Sequence, residues 1–566
     1  MTPSEIKELN QVNQLIEDGK IKEALLIVLE LEQSGDLIPQ ELLSYRLLKA
    51  ELLRRLGNFL DAIKISDEIF QEFQKQGDIL SAFDALLIQA FSYMMTVNIS
   101  KSEYIIKQAD DLFNIIKEKY LIDLKERESF LVRIKAGIHH CKGELQTSLE
   151  LNKRAYDLAK GTWNNHLIYT SLNNIADQYW HMKEYDKAIK YAKKAIKIEP
   201  SLLVALGTLI DIYISKGDIK EAKIYLDQLR YHSEKFGTQI HRNMYLSLKA
   251  SILKSSLRAR DRIKAEDIFK EFALDDTLVS EPRIYAIIHL CDLYLTELQI
   301  TNDPEIINDI RPYIQKLLNI AEDQHLYLYL AETYLLQAKL SLLTLDTKEA
   351  KRFLTQAQKI AESYGIKRLA MKISYEHDEL LRQTKMWENL KISEMSLSER
   401  LKLTGLKEQV EFMVRKQMIK APELSEEMPM LLLILSEGGL PLFSHSFTKE
   451  KSVDSEIFGG FLTTIDYFIK EMFSEGLDRA VFGDYTLVMK SIPPFFISYI
   501  FKGDSYYALQ KTDYFIDQIQ KEGDIWKNLL KSFELSKSVR LKDIPSLESL
   551  INETFTTRTL YQNSLI

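Results

Sequence analysis

The stretch LNNIADQYWHMKEYDKAIKYAKKAIKIEP, residues 172–200, sets two amphipathic segments around a short polar turn and closes them with a proline. Apolar residues recur at three- and four-residue intervals, the period of a helix with one buried stripe. A proline ends the second segment because it lacks an N–H and its ring clashes with the preceding turn. A second copy follows in IDIYISKGDIKEAKIYLDQL, with Tyr213, Gly217, Ile219 and Ala222, and Ala222 lies 34 residues after Ala188. Such a pair cannot bury its apolar face alone and must stack on its neighbours, so much of the chain is confined to an elongated array.

The pattern resembles the tetratricopeptide repeat (TPR). The family's small and aromatic positions fall on Ala176, Tyr179, Tyr185, Ala188 and Ala195, with Pro200 closing and Lys183 where the family usually has glycine. Looser units surround Gly19 and Ala24, Gly57 and Ala62, Gly143 and Ala155, and Ala338, Ala350 and Ala357. Residues 79–118, 240–272 and 283–322 read as helical pairs with the signature lost. The resemblance implies a superhelix of roughly eight to ten pairs with a peptide-sized groove. It maps groove positions to Thr170, Asn173, Asp177, Trp180 and Asp211, which a plainer reading makes a solvated face with one semi-buried Trp. Asp177 and Asp211 stand where a Lys/Arg clamp for a partner's C-terminal carboxylate would be sought, which argues against a chaperone-adaptor role.

A capping box, Ser396 to Glu399, precedes apolar residues Leu401, Leu406, Val410 and Met413, and APELSEEMP, 421–429, has the composition of a linker. Beyond it the hydrophobic period changes from about 3.6 to 2. LLLILSEGGLPLFSHSF predicts strands over 430–436 and 440–447 around Gly438-Gly439. A helix capped by Asp454 follows, then strands RAVF, YTLVMKSI and FFISYIFKG, then helices SYYALQKTDYFIDQIQ and DIWKNLLKSF. The order ββαβββαα predicts an antiparallel five-stranded meander with helices packed on it. It resembles the longin domain and, more distantly, the roadblock fold, which implies a non-catalytic platform found in membrane-traffic and small-GTPase assemblies. Gly459 and Gly460 inside a helix, and Tyr485, Tyr499, Tyr506, Tyr507 and Tyr514, are the candidate interface residues, with core packing as the plainer reading.

The expected architecture is therefore mainly α: a TPR-like α-solenoid over 1–390, a capping helix and linker over 391–428, a longin/roadblock-like α/β domain over 429–534, and a C-terminal helix and tail over 535–566. With 20 Gly and 12 Pro in 566 residues, helix is favoured over turn-rich β structure. A net charge of −8 gives no footprint for nucleic acid. Cys141 and Cys291 fit no CxxC spacing, and no segment reads as a secretory signal or membrane span, so a soluble, cytoplasmic chain is expected, reaching membranes only through partners. No GxxxxGK[ST], GxGxxG, HExxH or GxSxG occurs, so no catalytic residues and no cofactor are expected. In HHC, 139–141, neighbouring side chains diverge by about 100° on a helix, so no metal site is expected there. Ser444 and Ser446 face away from His445 on a strand.

The reading preferred is a protein-binding scaffold whose groove takes one partner while the end domain docks a small GTPase or a second platform domain, itself included. The alternatives are a small-molecule sensor with a PAS-like end domain and a structural assembly protein that dimerises through it.

Overall fold

The computed structural model describes residues 10–556 except 17–19, 35–37, 97, 143, 163, 200–202, 237–238, 277, 279, 394, 416–421, 437–440, 448–478, 536 and 542–543. The expected helix after Asp454, with Gly459 and Gly460, lies outside the described residues, as do Gly19, Gly143, Pro200 and Gly438-Gly439. The chain divides into two units. The first comprises Met1–Thr333, Ile360–Ile366 and Leu397–Met418, and the second Tyr334–Lys359, Lys367–Ser396 and Ile419–Ile566.

The helices run α1 (10–16), α2 (Ile21–Ser34), α3 (Pro39–Arg55), α4 (Phe59–Gln76), α5 (Ile79–Met95), α6 (Ile99–Lys119), α7 (Lys125–Lys142) and α8 (Leu145–Lys160). Next come α9 (Asn165–His181), α10 (Tyr185–Ile198), α11 (Val204–Lys216), α12 (Ile219–Phe236), α13 (Gln239–Lys254), α14 (Ala259–Leu274), α15 (Ser280–Thr301) and α16 (Glu305–Asp323). They continue with α17 (Tyr327–Leu343), α18 (Thr347–Ser363), α19 (Lys367–Arg382), α20 (Thr384–Leu390), α21 (Leu397–Thr404) and α22 (Leu406–Val414).

The repeat chemistry is visible where the sequence is most regular. Ala176, Ala188, Ala192, Ala195 and Ala222 are completely buried, which lets paired helices approach closely. Tyr179 stacks on Tyr191 and Tyr213 on Tyr225, each at 5.5 Å. One turn recurs between the helices of a pair, with a left-handed residue at Gly57, Lys183, Gly217 and Leu345. At Lys183 the amide donates to Trp180 O and that of Glu184 to Tyr179 O, both at 2.9 Å. The same pattern at Gly217 and Asp218 satisfies the carbonyls that end each first helix.

In the first unit, segments far apart in the chain also meet. Tyr327 N–H donates to Thr96 O at 3.4 Å and Ile99 N–H to Tyr364 O at 3.3 Å. The rings of Tyr327 and Tyr364 stack beside this contact. Gly365, at φ +74°, lies so close that an added Cβ would be 2.9 Å from Ser100 Oγ.

The second unit carries β1 (Met428–Ser436), β2 (Pro441–Ser446), β3 (Arg479–Phe482), β4 (Tyr485–Ile492) and β5 (Phe495–Lys502), then α23 (Ser505–Lys521), α24 (Gly523–Glu534) and α25 (Pro545–Ile551). The sheet is antiparallel and five-stranded, but its order is β2-β1-β5-β4-β3, not the expected meander. The reason lies in β1, whose Leu431–Leu435 run is buried throughout and so belongs inside the sheet, between β2 and β5. Alternation then divides it between two cores. Leu432 and Ile434 join Val488, Phe515 and Leu529 on the face covered by α23 and α24, while Leu431, Leu433 and Leu435 join Leu487, Met489 and Phe496 on the other.

Arg479, fully buried at the start of β3, reaches α19. It donates to Ser505 Oγ at 2.5 Å, Ser374 Oγ at 2.9 Å and Asp378 Oδ1 at 3.4 Å, and also to Gln358 Oε1. Asp378 accepts from Ser505 N–H at 2.8 Å and Ser505 Oγ at 2.7 Å. Nearby, Asp504 accepts from Arg382 at 2.6 Å and from Ser425 N–H at 2.6 Å. Burial by itself would raise the Asp504 pKa, but these bonds hold it below the usual value.

Candidate functional site

Four successive first helices, α3, α5, α7 and α9, line one cleft of 300 Å³ in the first unit. Arg54 and Arg55 end α3, where the negative end of the helix dipole favours cations. Glu51, one turn earlier, accepts from Arg54 Nε at 2.7 Å and Nη2 at 2.6 Å, and from Arg55 Nε at 2.7 Å. Burial would lift the Glu51 carboxyl, yet the two guanidinium groups hold it below the usual range. Arg127 of α7 grips Asp84 of α5 with bonds of 2.8 and 2.6 Å.

Arg133, one and a half turns further along α7, is different. Its guanidinium donates to the hydroxyl of Thr170 at 2.8 Å, and among the described residues no carboxylate lies within 4 Å of it. Burial, with Arg54 nearby, pushes its pKa down to about 10, which leaves it cationic at neutral pH. Two guanidinium groups stand over Phe130, that of Arg54 at 5.0 Å and that of Arg133 at 5.2 Å, and Arg54 also stands 4.5 Å over Phe91. At the mouth His166 is exposed, but the cleft walls and then Arg55, Arg133 and Arg54 hold its pKa down to about 4. Four arginines against Glu51, Asp84 and Glu126 leave a positive surplus at Arg133.

Of the groove residues inferred from sequence, Thr170 meets this cleft through Arg133. Asn173 is half-buried, with its Oδ1 enclosed and without a hydrogen-bond partner. Trp180 is buried and donates its indole N–H to Ser215 at 3.0 Å. Asp211, on α11, is half-buried and acts electrostatically on Tyr285. Asp177 lies 3.3 Å from His181 on α9 and beside His140 of α7. In the second unit, Tyr499 and Tyr506 are core residues, Tyr499 bonding to Glu427 and stacking 5.2 Å from Phe501. Tyr485 and Tyr507 are half-buried, and Tyr514 packs beside the core with its hydroxyl 3.3 Å from Glu553. Tyr485 and Tyr499 pack on opposite faces of the sheet, so these tyrosines do not form one surface.

Reading by sequence missed Arg54, Arg55, Arg127, Phe130, Arg133 and His166. They come together only when successive first helices are superposed, and α5 and α7 belong to pairs in which the repeat signature is faint. Among the described residues no helix is long and apolar enough to cross a membrane.

A family model, "Tetratricopeptide repeat", matches residues 169–202. No curated protein matches the sequence. Among solved structures, a Rap protein complexed with competence and sporulation factor aligns at 16% identity and TM-score 0.36, covering 66% of this chain and 100% of that one. NprR in complex with its cognate peptide NprX aligns at 16% identity and TM-score 0.37, covering 60% of this chain and 98% of that one. The apo form of the quorum sensor NprR from B. thuringiensis aligns at 13% and 0.38, covering 64% and 99%. The chain is a helical solenoid carrying a tetratricopeptide repeat, followed by a small five-stranded antiparallel sheet domain.

Proposed function

We propose that the first unit is a peptide- or protein-binding scaffold, with an acidic segment of the ligand laid across the first-helix face and a carboxylate on Arg133. The observation that carries this reading is Arg133 itself, a half-buried guanidinium with an aromatic ring beside it and a single hydroxyl as partner. Burying an uncompensated charge is costly, and an arriving carboxylate can take up two of its N–H groups at once. Phe130 supplies apolar area beside that charge, a combination suited to an aromatic residue next to an acidic one. In this reading neither unit performs a reaction. Fluorescence anisotropy of labelled acidic and amide-neutralised peptides on the full chain tests it. Selected acidic peptides should lose at least about tenfold in affinity against Arg133→Glu. Equal binding of both peptide classes, or indifference to the reversal, rejects it.

We also propose that the sheet domain, longin- or roadblock-like in its element order, docks a small GTPase or another platform domain. The feature favouring this is the end strand β3, whose Phe482 is 36% exposed beside the half-buried Tyr485. Capture of GTP-loaded over GDP-loaded small GTPases by the full chain, abolished by Phe482→Asp, is the expected result. Nucleotide-independent capture, or none, counts against it.

A further inference from the structure

At the C-terminal ends of α7 and α9, away from the residues that line the arginine cleft, three side chains converge. His140, Asp177 and His181 each offer one ligand-type atom, and these atoms all lie within 4.8 Å of one another. Asp177 and His181 are one turn apart on α9, so both project from the same face. Asp177 Oδ2 and His181 Nε2 stand 3.3 Å apart. Tetrahedral zinc with bonds of about 2.0–2.1 Å requires ligand atoms about 3.3–3.4 Å apart, so this pair already has the spacing a metal needs. His140 arrives from α7, its ring 4.9 Å from that of His181, which brings its ligand atom within 4.8 Å of the other two.

The surroundings are those of a held ligand set. Gln178, buried between the helices, places its amide against His140 Nδ1, with its nitrogen at 2.8 Å and its oxygen at 3.2 Å. Exchanging the two amide atoms by a flip puts the carbonyl in position to accept from Nδ1–H. The imidazole then presents Nε2 as the ligand atom, oriented by a partner outside the coordination sphere. Trp180 stacks on His181 at 5.3 Å and limits its rotation. Both helices end here, and the negative end of each helix dipole favours a cation. A simple Asp–His ion pair accounts for Asp177 and His181 but leaves unexplained a second imidazole brought within reach with its own orienting amide.

We propose that His140, Asp177 and His181 form a binding site for a divalent transition metal of the Zn²⁺ class. Three protein ligands leave a coordination position for water or for a donor from a bound molecule. His139, next in sequence, turns to Glu144 at 2.5 Å and takes no part. The site is independent of the peptide-binding reading and stands or falls separately.

The test is calorimetric titration of the chelator-stripped full chain with ZnSO₄, paired with the visible spectrum of the Co²⁺-loaded chain. One Zn²⁺ per chain and a tetrahedral Co²⁺ spectrum are expected. His140→Ala and Asp177→Asn should each weaken Zn²⁺ binding by more than the roughly 10–100-fold that outer partners cost, and Gln178→Met by about tenfold. His139→Ala should bind as the unaltered chain does. Circular dichroism establishes that each variant is folded, and Asp177→Asn, which keeps its volume, serves where a histidine variant is not. Absence of stoichiometric binding, or equal affinity in folded His140→Ala or Asp177→Asn, overturns the proposal.

Discussion

Lys183 adopts φ +61° in a turn that uses glycine at Gly57 and Gly217. A side chain in the left-handed region costs roughly 1–2 kcal/mol, and glycine's greater freedom in the unfolded chain offsets part of the relief. Lys183→Gly should therefore stabilise the chain by about 0.5–1 kcal/mol, read as a raised urea midpoint, whereas Gly217→Ala should lower it by a similar amount. This position shows how much was legible residue by residue. The repeat pattern located the turn and marked Lys183 as the departure. The arginines of the cleft carry no such local mark, because an Arg in the last turn of an amphipathic helix looks the same whether it faces water or a binding site. His166 offers a pH readout at the same scale. With its folded pKa near 4 against an ordinary 6.5, the unfolded chain takes up this proton first, so its contribution to stability is present above pH 6.5 and is lost as pH falls toward 4. Proton NMR should show His166 neutral at pH 6, and a bound acidic peptide should raise its pKa by offsetting the arginines. An unchanged pKa in the saturated complex would place the ligand elsewhere.

Among elements, the strands were the most readable part of the second unit. RAVF and YTLVMKSI match β3 and β4 residue for residue, since alternation and two-residue turns are local signals. Strand order was not local, and the meander failed because pairing β1 with β5 depends on which strand can be buried on both faces. Nor was it foreseeable that Arg479, which reads as an ordinary polar strand residue, would be sealed against Asp378, Ser374 and Gln358. Removing one member strands the others in a dry place. Arg479→Met should therefore destabilise the chain by about 3–5 kcal/mol, measured by denaturant unfolding. The double variant Arg479→Met with Asp378→Asn should recover part of that loss, and a strictly additive pair would show the two groups to be uncoupled.

For the molecule taken whole, the telling feature is the meeting of Thr96, Ile99 and Ser100 with Tyr327, Tyr364 and Gly365 inside the first unit. Gly365→Ala combines an unfavourable φ with a clash at Ser100. Hydrogen exchange should speed up at Thr96, Ile99, Ser100 and Tyr327 together, and acceleration confined to residue 365 and its neighbours would show the contact to be incidental. An open stack of repeats is a one-dimensional object that can fray inward from either tip, each unit answering only to the next. A fastening between remote turns changes that bookkeeping. The helices enclosed by it share one fate and melt as a block, while those beyond it are left to unravel singly, like loose threads outside a knot.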